Sequence, residues 1–182
     1  LGLASNFGIA TEDIQSALED RINYIYWTPR MKNATPVIKE ILQKKRDNYI
    51  LATGPTFGWW QGSIRKFTEK ILSKLKIDYI DILQIHWVGV ISSWNDSISE
   101  EFQKLKEEGK IKAIGISIHN RERAGNLAQV SNIDSFMIRY NAAHPGAEKD
   151  IFPFIDNTKH NITAYTATRW RKLLKRPKGW NG

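Results

Sequence analysis

The segment Tyr79-Ile80-Asp81-Ile82-Leu83-Gln84-Ile85-His86-Trp87 decides the fold of this 182-residue chain. Its aliphatic residues, Ile80, Ile82, Leu83 and Ile85, fall on both faces of an extended strand, which is typical of a strand buried on both faces of a parallel sheet. A membrane-spanning helix needs about 20 mainly apolar residues, so this segment, which also contains Asp81 and Gln84, is too short and too polar to be one. It therefore predicts a core strand of an α/β domain, and we expect no membrane segment in the chain.

Short apolar runs of this kind alternate with amphipathic helical patterns along the whole sequence, as in a series of βα units. The predicted strands are Leu1–Ala4, Tyr24–Trp27, Tyr49–Thr53, Tyr79–Trp87, Ile111–Ser117, Ser135–Tyr140 and Ile162–Thr166. The predicted helices begin at Thr11, Thr35, Ser63, Ile98, Arg121 and Glu148, and Pro153 favours a short or kinked last helix. This order predicts a single domain over residues 1–182 with the (β/α)8 TIM-barrel fold, incomplete at both ends in this chain.

Several of these segments resemble the aldo-keto reductase family. Leu75–Trp87 resembles its fourth-strand signature with the terminal His, and Leu105–Ser117 resembles its passage of helix, Gly-Lys, strand and Gly-x-Ser. Tyr140-Asn141 and Ala164-Tyr165-Thr166 resemble the next two strand ends. The resemblance implies NADPH or NADH at the C-terminal mouth of the barrel, hydride transfer to a small carbonyl substrate, and a Tyr acid tuned by Lys, Asp and His.

The proton-relay positions of that family are largely replaced. Tyr26 stands at the Asp position, Met31 at the Tyr position and Gly54 at the Lys position, and only His86 is retained. Met31 cannot donate a proton, and Gly54 has no side chain with which to lower a neighbour's pKa. We therefore expect a non-standard catalytic acid, either His86 or Tyr26. The alternatives are that His86 is a satisfied buried imidazole and that Tyr26 is an aromatic plug.

The cofactor positions are partly retained. The resemblance assigns the nicotinamide carboxamide to Ser117, the stacked ring to Tyr165, and the loop towards the pyrophosphate to Thr166, with Arg169 available for phosphates. Ile118 and Met137 replace two amide side chains of the family, so those two contacts are not expected. Trp27 and Trp87 fall at strand ends, where they are expected to line an apolar substrate pocket, with loop packing as the alternative.

Composition limits the remaining function classes. The chain has no Cys, which excludes disulfides and thiolate chemistry and favours the cytoplasm. His119 and His144 do not stand at metal-ligand spacing from a carboxylate, so no metal is expected. The net charge of +8 is concentrated near the end of the chain, at Arg169, Arg171, Lys172, Lys175, Arg176 and Lys178. A solvated tail explains it, and a nucleic-acid partner is not expected because the basic residues are not interleaved with aromatic ones.

Two hypotheses about function follow from these residues. The first is an oxidoreductase that uses NAD(P)H on a carbonyl or alcohol substrate through a non-standard proton donor. The second is a catalytically silent barrel that binds a nucleotide or a metabolite, because Tyr26, Met31 and Gly54 replace the relay.

Overall fold

Seven parallel strands form one sheet, in which each strand lies beside the next one in the sequence. The structure is a computed structural model that describes residues 1–4, 8–55, 57–58, 60–176 and 179. The strands are β1 Gly2–Ala4, β2 Tyr24–Tyr26, β3 Ile50–Thr53, β4 Ile80–Val88, β5 Ile111–Ile118, β6 Ser135–Arg139 and β7 Asn161–Tyr165. Sequential parallel order is the topology of a (β/α)8 barrel, so the predicted fold class is confirmed for the described strands.

Within the described residues, six α-helices connect these strands: α1 Thr11–Asp20, α2 Thr35–Lys44, α3 Gln61–Leu75, α4 Asp96–Glu107, α5 Arg121–Val130 and α6 Ala147–Asp150. Asn95 and Asn120 precede α4 and α5, and each side chain accepts a backbone N–H of the first turn, which stabilises the helix start. The last helix is short, as predicted, and a 3-10 turn over Phe152–Phe154 follows it because Pro153 cannot continue an α-helix. No helix among the described residues is long and apolar enough to cross a membrane.

The sheet is curled, since a hydrogen bond links its second strand to its seventh. The Thr163 hydroxyl of β7 donates to the Tyr24 hydroxyl of β2 over 3.4 Å. The outer face carries Leu51, Leu83 and Phe136, each 0% exposed, and packs against the helices. Side chains alternate along each strand, so the residues directly before and after each of these face the barrel interior. That interior is where Tyr26, Gln84 and His86 lie.

An ion pair holds the starts of β3 and β4 together, at the end of the sheet opposite the strand C-termini. The Asp81 carboxylate accepts the Leu51 N–H at 2.9 Å and pairs with Arg46. The Arg46 guanidinium also donates to the carbonyls of Tyr49 and Tyr79, at 2.9 and 3.1 Å. This ion pair therefore lies away from the C-terminal strand ends, where chemistry in this fold lies.

Candidate active site

Two strand ends bring Tyr26 and His86 together inside the barrel. Tyr26 ends β2 and faces inward, in register with Ala52 of β3, and Ala52 is in register with Ile82 of β4. His86 lies four residues beyond Ile82, on the same face. The inward residues of the intervening β3 end are Ala52 and Gly54, which are small. The Tyr26 phenol can therefore reach across β3 to His86.

The hydrogen bonds of His86 fix its tautomer. Its Nδ1 lies 3.0 Å from the Pro55 carbonyl oxygen, which can only accept, so Nδ1 carries the proton of the neutral ring. Its Nε2 is then an acceptor, and the Tyr26 hydroxyl donates to it over 3.0 Å. The two rings meet edge to face, with centroids 5.7 Å apart. The Tyr26 side chain is thus held with its proton directed at His86.

Gln84 supplies a second donor to the same nitrogen. Its side-chain amide lies 3.3 Å from His86 Nε2 and also donates to the Met137 sulfur at 3.5 Å. Gln84 is 1% exposed, so both contacts are made in the barrel interior. One nitrogen lone pair therefore faces two donors, the Tyr26 O–H and the Gln84 N–H.

Burial keeps both members of the pair uncharged. Burial lowers the pKa of His86. The hydrogen bond to the Pro55 carbonyl favours the protonated ring and so raises this pKa, but its effect is the smaller one. Burial, with a smaller contribution from the nearby Tyr24, raises the pKa of Tyr26 to about 12. At neutral pH the pair is a phenol hydrogen-bonded to a neutral imidazole.

Gly54 and Met31 are the residues that the resemblance sets at the Lys and Tyr positions of the family relay. A Cβ at Gly54 would stand 1.6 Å from the Gln84 carbonyl oxygen, so no side chain can be accommodated there without moving the strands. Met31 is 8% exposed and packs in the hydrophobic core. In this chain, therefore, the neighbouring backbone excludes a side chain at position 54, and Met31 is a core residue.

A second group of side chains lies across the barrel interior, on β5, β6 and β7. Ser117 is 3% exposed and is in register with Met137. Among the described residues, none hydrogen-bonds to the Ser117 hydroxyl. Tyr165, which ends β7, is half-buried, and its hydroxyl lies 3.0 Å from His119 Nδ1.

The strand ends around Tyr165 adopt an unusual backbone. Thr166 has φ +54° and Trp87 has φ +51°, a left-handed conformation that costs free energy in residues other than glycine and is often found at functional sites. Trp87 is 48% exposed, with its ring centroid 6.3 Å from that of His119. Arg169, also left-handed at φ +48°, is exposed on the turn that follows β7. Trp87, His119 and Tyr165 thus form one aromatic row along the mouth.

Trp27 is not part of this mouth, which corrects the prediction that it lines a substrate pocket. It is 0% exposed, and its indole N–H donates to the Thr35 hydroxyl at 3.2 Å. Trp27 follows the inward-facing Tyr26, so strand alternation directs it outward, under α2. Its large ring is core packing.

Three further residues at the mouth were not predicted from the sequence. Gln84 and His119 contact predicted site residues, and Arg139 is the last residue of β6, in register with Tyr165. The alternation of β4 would have directed Gln84 to the face of His86, two residues away.

No three His, Asp or Glu side chains within the described ranges come together in a way that could hold a metal ion. Lys178 of the basic tail lies outside the described residues.

Comparison with known proteins gives consistent matches. The family model of the aldo/keto reductase family matches residues 10–170. The chain is 25% identical to Aldo-keto reductase YhdN of Bacillus subtilis over 85% of its own length and 50% of that protein. It is 32% identical to the uncharacterized oxidoreductase YqkF of the same organism, over 77% of its own length and 49% of that protein. The chain thus spans about half the length of these curated relatives.

The fold also matches solved structures. An aldo/keto reductase from Klebsiella pneumoniae, crystallised in complex with NADP and acetate, superposes with a TM-score of 0.72 at 22% identity. The match covers 91% of this chain and 62% of that one. At this identity, the likeness establishes the shared barrel architecture.

Proposed function

The chain belongs to the aldo/keto reductase family, and from that premise we propose that it reduces the carbonyl group of a small substrate with NADPH or NADH. Tyr26 is the proposed proton donor, and His86 is the residue that positions it. The observation that carries the proposal is the 3.0 Å hydrogen bond between the Tyr26 hydroxyl and His86 Nε2 at adjoining strand ends. This contact supports the proposal because it sets an O–H donor at the C-terminal ends of the strands, where chemistry in this fold lies.

The tautomer of His86 decides which residue can act as the acid. The proton on Nδ1 faces the Pro55 carbonyl, so Nε2 has no proton to give to a substrate. Tyr26 has an O–H, and a substrate oxygen that approaches it would compete with His86 Nε2 for that proton. The Gln84 amide, 3.3 Å from the same Nε2, can keep this nitrogen satisfied when Tyr26 turns towards the substrate. This exchange of donors avoids the cost of an unsatisfied buried acceptor.

The residues across the barrel fit a nicotinamide nucleotide. The Ser117 hydroxyl is a buried donor that no described residue uses, Tyr165 offers an aromatic ring, and Arg169 stands on the loop after β7 with Thr166 at its start. Ser117 would hold the carboxamide, Tyr165 the ring, and Thr166 and Arg169 the phosphates. When bound, such a cofactor supplies a hydride to the carbonyl carbon. Trp87, half-exposed beside His86, would contact the substrate.

Tyr26 is suited to reduction more than to oxidation. Reduction needs the protonated phenol, which is the form present at neutral pH because burial raises the pKa of Tyr26 to about 12. Alcohol oxidation needs the phenolate as a base, and at pH 7 only about one molecule in 10⁵ carries it. The carbonyl compound is therefore the proposed substrate and the alcohol the proposed product.

Two measurements on matched variants test the proposal. The intrinsic tryptophan fluorescence of the protein is titrated with NADPH, and the reduction of short neutral aldehydes is followed at 340 nm. In Tyr26→Phe we expect turnover to fall by roughly 10²- to 10⁴-fold, the usual effect of removing a general acid, with NADPH affinity unchanged.

Tyr24→Phe is the matched control. Tyr24 lies on the same strand and the same face, and its hydroxyl only accepts a hydrogen bond from Thr163. We expect this variant to retain turnover. Equal activity of the wild type and Tyr26→Phe would exclude Tyr26 as the acid.

A catalytically silent barrel is the second candidate, and one observation favours it. The Tyr26 proton is already engaged by His86, and Gly54 leaves no space for a Lys that would acidify the phenol. This candidate predicts NADPH binding without turnover of any aldehyde. Steady turnover that is lost in His86→Ala would rule it out.

The proposed setting follows from the same chemistry. The cytoplasm is the proposed location because a chain without Cys has no need of an oxidising compartment and because reduced cofactors are used there. The proposed partners are the cofactor and a small carbonyl compound.

A further inference from the structure

The C-terminal ends of β5, β6 and β7 carry basic side chains that the proposed hydride transfer does not use. Arg139 is the last residue of β6 and is in register with Tyr165, so it faces the same side of the sheet. It is half-buried. His119 follows β5, and His144 and Arg169 lie on the loops after β6 and β7. Arg139 and Arg169 therefore bring positive charge to one side of the mouth, with the two imidazoles beside them.

Asn141 holds the loops of this region together. It is 7% exposed, and its side-chain N–H donates to the Thr166 carbonyl at 2.9 Å. Its side-chain oxygen accepts from the backbone N–H of Ala143 at 3.0 Å and lies 3.1 Å from His144 Nδ1. The loop after β6 is thus tied to the loop after β7, which keeps His144 next to the turn that bears Arg169.

Electrostatic interactions connect these groups. Burial lowers the pKa of His119, and Arg139 lowers it further. Burial also lowers the pKa of His144, and Arg139, Arg169 and Arg121 add to the shift. In Tyr165, burial raises the pKa and Arg139 opposes it. Arg139, which is in register with Tyr165, thus acts electrostatically on all three of these side chains.

The two cations at this side of the mouth have no acidic partner among the described residues. Arg121 pairs with Asp150 at 2.9 Å, and Glu148 accepts the Tyr140 hydroxyl at 2.8 Å. Within the described part of the chain, no carboxylate pairs with Arg139 or Arg169. A half-buried guanidinium without a partner is unfavourable, because it loses hydration without gaining a counter-charge. Its planar donor groups match the two oxygens of a carboxylate or a phosphate.

We propose that Arg139, supported by Arg169, is an oxyanion receptor at the rim of the mouth, which binds a carboxylate or phosphate group of the ligand held beside Tyr165. The anion comes either from the dinucleotide or from a carbonyl substrate that carries an acid group. Only the identity of the ligand rests on the proposed function, since a free anion suffices to occupy the receptor.

Proton NMR of the imidazole signals tests the receptor without any turnover. The chain has four His residues, of which His119 and His144 adjoin the receptor, while His86 and His160 serve as internal references. Sodium pyrophosphate is titrated into the protein at constant ionic strength. We expect the signals of His119 and His144 to move and their pKa values to rise, because a bound anion stabilises the protonated ring.

The variants separate a specific receptor from general attraction to a basic protein. In Arg139→Met we expect pyrophosphate to bind about 10- to 100-fold more weakly, the usual effect of losing charge-assisted hydrogen bonds, and Arg139→Lys to retain part of the affinity. Arg21→Met removes the same charge from a side chain that is 89% exposed at the end of α1, and we expect no change. The proposal is wrong if the two signals do not move, or if they move equally in Arg139→Met.

Two further measurements identify the source of the anion. If it is the cofactor phosphate, Arg139→Met weakens NADPH binding and leaves the preference between succinic semialdehyde and butanal unchanged. If it is the substrate carboxylate, the kcat/KM for succinic semialdehyde falls while that for butanal is retained. Should the protein prove catalytically silent, the pyrophosphate titration still decides for or against the receptor.

Discussion

Gly54→Ala should destabilise the barrel strongly, although it adds only one methyl group. The added Cβ would lie 1.6 Å from the Gln84 carbonyl oxygen, whereas ordinary contact begins at 3.4 Å. The ends of β3 and β4 would have to separate by roughly 1.8 Å, the difference between these two distances. Overpacking usually costs about 1–3 kcal/mol, and a backbone clash of this size should reach or exceed the upper end. For a chain of this length, about 3 kcal/mol corresponds to a fall in Tm of roughly 6–12 °C.

Urea unfolding followed by circular dichroism measures this effect, with Gly62→Ala as the matched control. A Cβ at Gly62 meets only the Trp60 ring, at 3.4 Å, and Gly62 lies within α3. Because alanine favours helix more than glycine does, the control should be neutral or up to about 1 kcal/mol more stable. Equal unfolding midpoints for Gly54→Ala and the wild type would refute the close approach of the two strands at Gly54.

Three other perturbations test separate parts of the structure. Asp81→Ala should lower the free energy of unfolding by about 2–4 kcal/mol, because it removes the carboxylate that pairs with Arg46 and accepts the Leu51 N–H. Urea unfolding that matches the wild type would contradict this. Trp27→Ala should cost about 3–5 kcal/mol of stability while KM for aldehydes stays constant, since the ring is core packing; a raised KM with unchanged stability would return Trp27 to the pocket. The rate of alcohol oxidation should rise about tenfold per pH unit towards pH 12, because Tyr26 must lose its proton to act as the base. The rate of aldehyde reduction should stay level up to about pH 11, because Tyr26 must keep its proton to act as the acid. An oxidation rate that levels off near pH 8 would show that another group is the base.

Much of the fold could be predicted because hydrophobic periodicity is a local property of the sequence. The run predicted as a core strand is β4, which is buried on both faces, and helix α5 begins at the predicted residue, Arg121. The break after α6 follows from Pro153, whose ring excludes a continuing helix. These features depend on residues that are close in the sequence, so contacts between distant residues do not decide them.

The site could be predicted only in part. The meeting of Tyr26 and His86 follows from their places at strand ends, but the tautomer of His86 depends on the Pro55 carbonyl, which no motif reveals. The prediction that Trp27 lines the pocket was wrong because Trp27 directly follows the inward-facing Tyr26. Side chains alternate along a strand, so Trp27 faces outward. The lack of space for a side chain at Gly54 depends on the distance between the Gly54 and Gln84 backbones. No sequence pattern indicates that distance.

Single-turnover kinetics tests most directly whether Tyr26 delivers the proton. The protein with bound NADPH is mixed with an excess of a neutral aldehyde in a stopped-flow instrument, in water and in deuterium oxide, and the absorbance at 340 nm is followed. We predict a rate that is slower in deuterium oxide for the wild type, and in Tyr26→Phe a rate lower by at least roughly 10²-fold, with the isotope effect lost. A Tyr26→Phe variant that transfers hydride at the wild-type rate, with the same solvent isotope effect, would contradict the proposed role of Tyr26.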